Sequence, residues 1–337
     1  MISPFIRIAV LALSFLAVTA EAAFAEVSEL RVSQQFGLSY LPLIHLRAHG
    51  LIEKQAAARG IPNLRVTYTQ FSGGAAVNDA LLSGSIDIGA GGIAPLLTIW
   101  DKTRGNLDVR AIAGLDRTVL HLNTNRPNIR TIADFTDKDR IAVPSVKVSI
   151  QSVLLQIAAE QAFGPGHQED LDRLTVSLKH PDAHALLLSG DGSLTAHFAQ
   201  PPYGTMQLTN PTIHTVLTSA TILGGPATLN VLYATAKFRE ENPTVVAALI
   251  AALDEADRAI AADPAAAARL YVESEKPAGI GADLVEAFLS RPELSGYSVL
   301  PSGTERIAAF MARTQAIKNK PVSWNDYFFP GIDGAGN

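Results

Sequence analysis

The sequence predicts an α/β protein made of two similar lobes, each a mostly parallel sheet flanked by helices. Two stretches carry that expectation. Residues 64–92, LRVTYTQFSGGAAVNDALLSGSIDIGAGG, read as strand, glycine turn, helix, glycine stop, strand and glycine loop. Residues 174–198, LTVSLKHPDAHALLLSGDGSLTAHF, repeat that order, and Leu187-Leu188-Ser189-Gly190 stands where the first copy has Leu81-Leu82-Ser83-Gly84. Each stretch is a βαβ unit, whose crossover is right-handed with parallel strands.

In the first unit, Val66, Tyr68 and Gln70 alternate with Thr67, Thr69 and Phe71, a period-2 run of β-branched and aromatic residues. Ser72 is placed to cap a helix after Gly73-Gly74, with Ala76, Val77, Ala80 and Leu81 on one face and Gly84 as its left-handed stop. Ile86 and Ile88 begin the next strand, which Gly89 to Gly92 end. Both glycine clusters then lie at the carboxyl ends of strands, the edge at which open α/β sheets bind ligands. Glycine lets a ligand approach the backbone, and the free N–H groups of a helix start favour negative charge.

The remaining elements follow in order. Glu29 to Gln35 reads as a strand, and Leu41-Pro42 opens a helix ending at Gly50. Pro95 opens another through Trp100. Strands are expected over 108–115, 118–123 and 140–143, with the crossing between lobes near the second. Ser149 to Phe163 is a long helix with Ile150, Val153, Leu154, Ile157 and Ala158 inward and Gly164 as its stop. Strands over 212–217 and 229–235 come next. Asn242-Pro243 and Asp263-Pro264 each open a helix, and further helices are expected at 283–290 and 304–318. Trp324, Tyr327, Phe328 and Phe329 form an aromatic tail suited to a surface groove.

Composition narrows the function. The chain has 337 residues, 47% hydrophobic and 18% charged, enough for two medium lobes with good cores. A net charge of −5 argues against a nucleic-acid role. Residues 1–25 read as a cleavable secretory signal: Arg7, an apolar run from Ile8 to Ala20, and Ala23-Phe24-Ala25 before Glu26, with cleavage expected after Ala25. The apolar run is short for a membrane span. With no cysteine, disulfides, thiolate catalysis, Cys-based zinc sites and a lipoprotein anchor are excluded. A bacterial periplasm is the simplest setting. No Walker A loop, serine-nucleophile elbow, His-Glu-x-x-His or complete dinucleotide fingerprint occurs. The pairs His45/His49 and His180/His184 have metal-ligand spacing but no obvious third ligand, so neither a metal nor a cofactor is expected.

Several segments together resemble a known family. They are Gly50-Leu51-Ile52-Glu53, Phe71-Ser72-Gly73-Gly74, Leu82 to Gly89, Ile129 to Phe135, Asp139 to Val143, and Lys237 to Pro243. Their order and spacing, across essentially the whole chain after residue 25, resemble the periplasmic substrate-binding proteins of ABC importers in the nitrate/sulfonate/taurine group. The resemblance implies a two-lobed, type II Venus-flytrap fold. Residues 26–120 plus 225–337 would form lobe one and residues 121–224 lobe two, with a ligand in the cleft. It also implies a monomer that delivers its solute to the permease and ATPase subunits of an importer, and no enzymatic activity. The sequence departs from the family where Ser193 to His197 stand in place of a Val-Asp-Ala run. An alternative is an enzyme on the same fold, similar to pyrimidine-forming proteins of the thiamine pathway. The cysteine-rich motif of those relatives is missing here.

The resemblance and the strand-end rule point to the same ligand-binding loops. From lobe one these are Leu38-Ser39-Tyr40, Ser72-Gly73-Gly74 and Gly91-Gly92-Ile93; from lobe two, Ser145, Lys147, His197, Pro202 and Tyr203. Lys147, before the long helix, suits a carboxylate or sulfonate, and Tyr203 suits stacking on a flat solute. The expected ligand is a small organic molecule with one anionic end.

Overall fold

The computed structural model describes residues 26–331; the expected signal segment lies outside the described residues. The strands are β1 (Glu29–Gln34), β2 (Arg65–Gln70), β3 (Gly89–Gly92), β4 (Arg110–Asp116), β5 (His121–Thr124), β6 (Ile141–Val143), β7 (Thr175–Ser177), β8 (Ala196–Ala199), β9 (His214–Thr218) and β10 (Asn230–Ala234). They sort into two groups. In the first, β1 pairs with β2, an isolated parallel bridge from Val32 to Ile88 joins β1 to the approach of β3, and β10 lies between β3 and β4. In the second, the order is β7-β6-β8-β5-β9.

The two arrangements are alike. Strands β2-β1-β3 match β7-β6-β8, and β6 runs parallel to both of its neighbours. Next to each trio lies one strand that has just arrived from the other group: β10 antiparallel to β3 and β4, β5 antiparallel to β8 and β9. A chain entering from the opposite lobe traverses the sheet in the reverse direction. Each mostly parallel sheet therefore contains one antiparallel member.

Three local expectations need correction. First, β2 and the strand after its helix are not neighbours, because β1 lies between them. Second, Gly89 to Gly92 do not end a strand; they are β3, and all four are buried. Glycine is needed there for packing, since a Cβ on Gly89 would stand 2.4 Å from the Tyr233 ring. Third, Ser72 does not cap the following helix. That helix, Gly74–Leu82, starts from Gly73 with no side-chain cap, and Ser72 is exposed.

Other signals act as read. Gly50 ends Leu41–His49 in the left-handed region, Ser149 caps Ile150–Phe163 by accepting from the Ser152 N–H, and Asp263 caps Pro264–Glu275 by accepting from Ala266. The helix expected at Pro95 starts earlier and spans Ile93–Thr103. One core runs through both groups, joining Leu96, Leu97 and Trp100 to Leu154 and Ile157. The aromatic tail sinks into that core. Tyr327 and Phe328 are fully buried, and the Trp100 indole donates to the Asp326 carbonyl at 2.8 Å.

Candidate functional site

The lobes meet where glycine allows it. Gly73 lies so close to lobe two that a Cβ there would be 2.5 Å from Ser145 Oγ and 2.8 Å from the Pro144 carbonyl. A Cβ on Gly37 would be 2.4 Å from Gln200 Nε2, and the Leu38 N–H donates across the cleft to the Pro201 carbonyl at 2.7 Å. Between these contacts lies a cavity of about 10 Å³, space for roughly one water. Anything larger requires the lobes to part.

Helix starts converge on this cavity. Gly74 and His180 are the first residues of their helices, and Gly92 and Ser149 are the N-caps of theirs; all four line the cavity. Each helix start carries roughly half a positive charge on its free N–H groups. Gln35, Tyr40 and Asn230 face the cavity from lobe one, and Gln151, His180 and Gln200 from lobe two. No Lys, Arg, Asp or Glu lines it. An anionic group here would meet neutral donors and helix dipoles, with no ion pair.

The lobe-one wall is fixed by a buried carboxylate. Asp116 Oδ1 accepts from the backbone N–H of Asn230 at 3.0 Å and from Asn230 Nδ2 at 2.9 Å. That sets the amide so that Asn230 Oδ1 accepts the Tyr40 hydroxyl proton at 3.0 Å, leaving the Tyr40 oxygen lone pairs for the cavity. Thr118 also donates to Asp116, and Ser39 Oγ lies 2.9 Å from Thr118 Oγ1. Burial pushes the Asp116 carboxyl pKa up, against hydrogen bonds from Ser39, Thr118 and Asn230 that favour the charged form. Gln35 Nε2 donates to the Ala90 carbonyl at 3.1 Å, so its amide oxygen is the end left free to turn.

The lobe-two wall is a histidine pair. His180 Nδ1 lies 2.7 Å from His197 Nε2, and the His180 ring stacks on Tyr203 with centroids 6.0 Å apart. Burial pushes the His180 pKa down to about 3 and that of His197 well below the ordinary value, so both rings are neutral near pH 7. Burial likewise pushes the Tyr203 hydroxyl up to about 12.

Of the residues expected from sequence, Tyr40, Gly74 and Gly92 line the cavity. Gly73 and Ser145 form its closing contact, and Gly91 backs Gln35 and Tyr233. Ser39, His197 and Tyr203 stand one layer behind, holding Asp116 or His180. Leu38 and Ile93 are core residues that reach the neighbouring backbone through their N–H groups. Pro202 precedes the short helix that Tyr203 opens. Lys147 is elsewhere. Its side chain is 60% exposed, with Nζ 3.5 Å from Glu169 and 3.8 Å from Asp172, and it does not line the cavity. Sequence reasoning missed Gln35, Asn230, Gln151, His180 and Gln200. The turn containing His180 also follows a strand end but was not among the loops named, because the HPDAH spacing drew attention to metal binding instead. Among the described residues no group of three or more metal-ligating side chains gathers.

A wider concavity, about 910 Å³, is an open groove between Ile150–Phe163 and Glu305–Arg313. Arg306, Arg313 and Lys320 line it, with Arg313 paired to Glu160 at 2.7 Å through Nη1; the small cavity, where four helix starts gather between the lobes, is the better candidate.

No family model matches the chain, and no curated protein matches it. Solved structures do. The alkanesulfonate-binding protein SsuA from Xanthomonas axonopodis pv. citri, bound to MOPS, superposes with a TM-score of 0.70 at 20% identity, covering 88% of this chain and 96% of its own. The periplasmic aliphatic sulphonate-binding protein SsuA from Escherichia coli gives 0.65 at 20% identity, covering 91% and 99%. The periplasmic nitrate-binding protein NrtA from Synechocystis PCC 6803 gives 0.67 at 15% identity, covering 90% and 84%. The strand order, the interlobe cavity and these superpositions agree: the chain has the two-lobed fold of the periplasmic binding proteins.

Proposed function

We propose that the protein is a solute receptor of an ABC importer, of the nitrate/sulfonate/taurine group, that closes its lobes over a small organic molecule with one anionic end. The observation that carries this reading is the convergence of helix starts on a charge-free cavity between lobes that meet through glycine. Such a site stabilises an anion by oriented N–H groups that are in place before the ligand arrives. A lysine is not needed. The same fold in sulfonate- and nitrate-binding proteins supports the assignment. The receptor works outside the inner membrane as a monomer and hands its cargo to the permease. Among the described residues no helix is long and apolar enough to cross a membrane. The cavity offers no paired acid and base and no activated nucleophile, which weighs against the enzyme alternative.

Calorimetric titration of refolded protein with ethanesulfonate, taurine, nitrate and short carboxylates tests the reading. Saturable one-to-one binding of an organic anion is expected. Turnover of any of these compounds by pure protein, or binding only of cations, would overturn it.

A further inference from the structure

The interior of lobe two contains a hydrogen-bonded chain whose direction one backbone carbonyl determines. The Gly204 carbonyl can only accept, and Asn123 Nδ2 donates to it at 2.9 Å. That fixes the Asn123 amide. Its Nδ2 also donates to Gln207 Oε1 at 3.0 Å, and Thr215 Oγ1 donates to Asn123 Oδ1 at 2.8 Å. With its oxygen occupied, Gln207 presents Nε2 to His197 Nδ1 at 2.7 Å. The His197 Nδ1 atom must therefore accept, and its ring proton sits on Nε2. That proton is donated to His180 Nδ1 at 2.7 Å, which leaves the His180 proton on Nε2. His180 is 4% exposed and lines the cavity, while Asn123, His197 and Gln207 are fully buried behind it.

We propose that this relay makes His180 a fixed, neutral N–H donor at the cleft, and that His180 selects solutes presenting an oxygen acceptor to lobe two. The inference rests on the receptor reading and names the chemistry its cleft demands. A solute oxygen, from a sulfonate, carboxylate or carbonyl, is accepted; an ammonium or amide N–H at the same point meets a donor and is rejected. On the facing wall the Tyr40 oxygen presents lone pairs, because its hydroxyl proton is directed at Asn230. Between these two side chains a solute oxygen is therefore drawn to His180 on lobe two. Gln151 completes the picture. Its Nε2 lies 3.3 Å from His180 Nε2, a donor facing a donor. Rotating the terminal amide places Oε1 there instead, the position a solute oxygen takes on binding.

The test has two arms. Nitrogen-15 NMR of the histidine rings of the solute-free protein reads the tautomers directly. Both His180 and His197 are expected to carry their proton on Nε2; a proton on Nδ1 of either ring overturns the proposal. Gln207→Leu removes the group that sets the direction without touching the cavity. Both tautomers should then be populated, a change that a purely structural role would not produce. In the second arm, ethanesulfonate is titrated into wild type and His180→Phe, which keeps a ring against Tyr203. The variant should bind about tenfold to a hundredfold more weakly, the range for a charge-assisted hydrogen bond. Unchanged affinity overturns the proposal. Failure of wild type to bind ethanesulfonate would count against the anion reading, and the tautomers would still decide the role of His180.

Discussion

Replacing Gly73 by Ala should hold the lobes apart while leaving each lobe intact. The backbone at Gly73 is extended, with φ −177°, so alanine is not strained there. In the closed arrangement its Cβ would stand 2.5 Å from Ser145 Oγ and 2.8 Å from the Pro144 carbonyl. Serine can turn its hydroxyl away, but a backbone carbonyl cannot move without its strand. Ordinary contact needs 3.4–4 Å, so the lobes must separate by roughly 1 Å or distort at a cost of about 1–3 kcal/mol, as in other overpacked contacts. If that cost falls on the closed state alone, affinity drops roughly 5- to 150-fold, by the relation of coupling energy to binding. Calorimetry with whichever anion binds wild type gives the affinity, and a thermal melt of the solute-free variant gives the stability. Weaker binding with little change in melting temperature is expected. Unchanged affinity would refute the claim that this contact belongs to the bound state.

Three further outcomes follow from the same structure. Lys147→Ala should leave anion affinity within about twofold, since an exposed ion pair contributes little and Lys147 points at Glu169 and Asp172; a tenfold loss by calorimetry would return the lysine to the site. Asp116→Asn places an amide against the donors of Asn230 and Thr118, and should destabilise the fold by about 1–3 kcal/mol in urea unfolding. Asp257 has no hydrogen-bond partner for either carboxyl oxygen, and burial first, then the Asp254 charge, pushes its pKa up to about 8. The folded state therefore holds a proton that the unfolded chain releases near pH 4. Stability should fall as pH rises between those values, by at most about 1.4 kcal/mol per pH unit. Asp257→Asn should flatten that slope and raise the melting temperature at pH 7; an unchanged pH profile would show that Asp257 is solvated.

The duplicated strand–helix–strand pattern was legible because it depends on local chemistry. Alternation, proline at helix starts, the caps Ser149 and Asp263, and Gly50, Gly84 and Gly164 at helix ends each act within a few residues. Sheet order was not legible: nothing inside residues 64–92 says that β1 will lie between β2 and β3. The glycine run 89–92 was misread for the same reason, because the Tyr233 ring that requires it is more than a hundred residues away. The lining of the candidate cavity was half legible. Strand-end loops named Tyr40, Gly74 and Gly92, which supply backbone and one hydroxyl. The polar side chains His180, Gln151 and Asn230 of that lining were not among the residues named, since a neutral amide or imidazole has no sequence signature and is set in place by buried partners such as Gln207 and Asp116. Lys147 attracted attention as a charge, but in the fold its ammonium lies beside the exposed Glu169 and the half-buried Asp172.

Closure of two lobes over a small anion can be measured directly, because the sequence has no cysteine. Leu82 on lobe one and Leu208 on lobe two are exposed and can each be replaced by cysteine and spin-labelled. Pulsed electron spin resonance then gives the distance distribution across the cleft, with and without a saturating organic anion. A broad distribution of longer distances is expected in the solute-free protein, and one narrow, shorter distance with solute bound. The same distribution in both states, at a solute concentration that calorimetry shows to be saturating, would rule out lobe closure as the means of holding the anion.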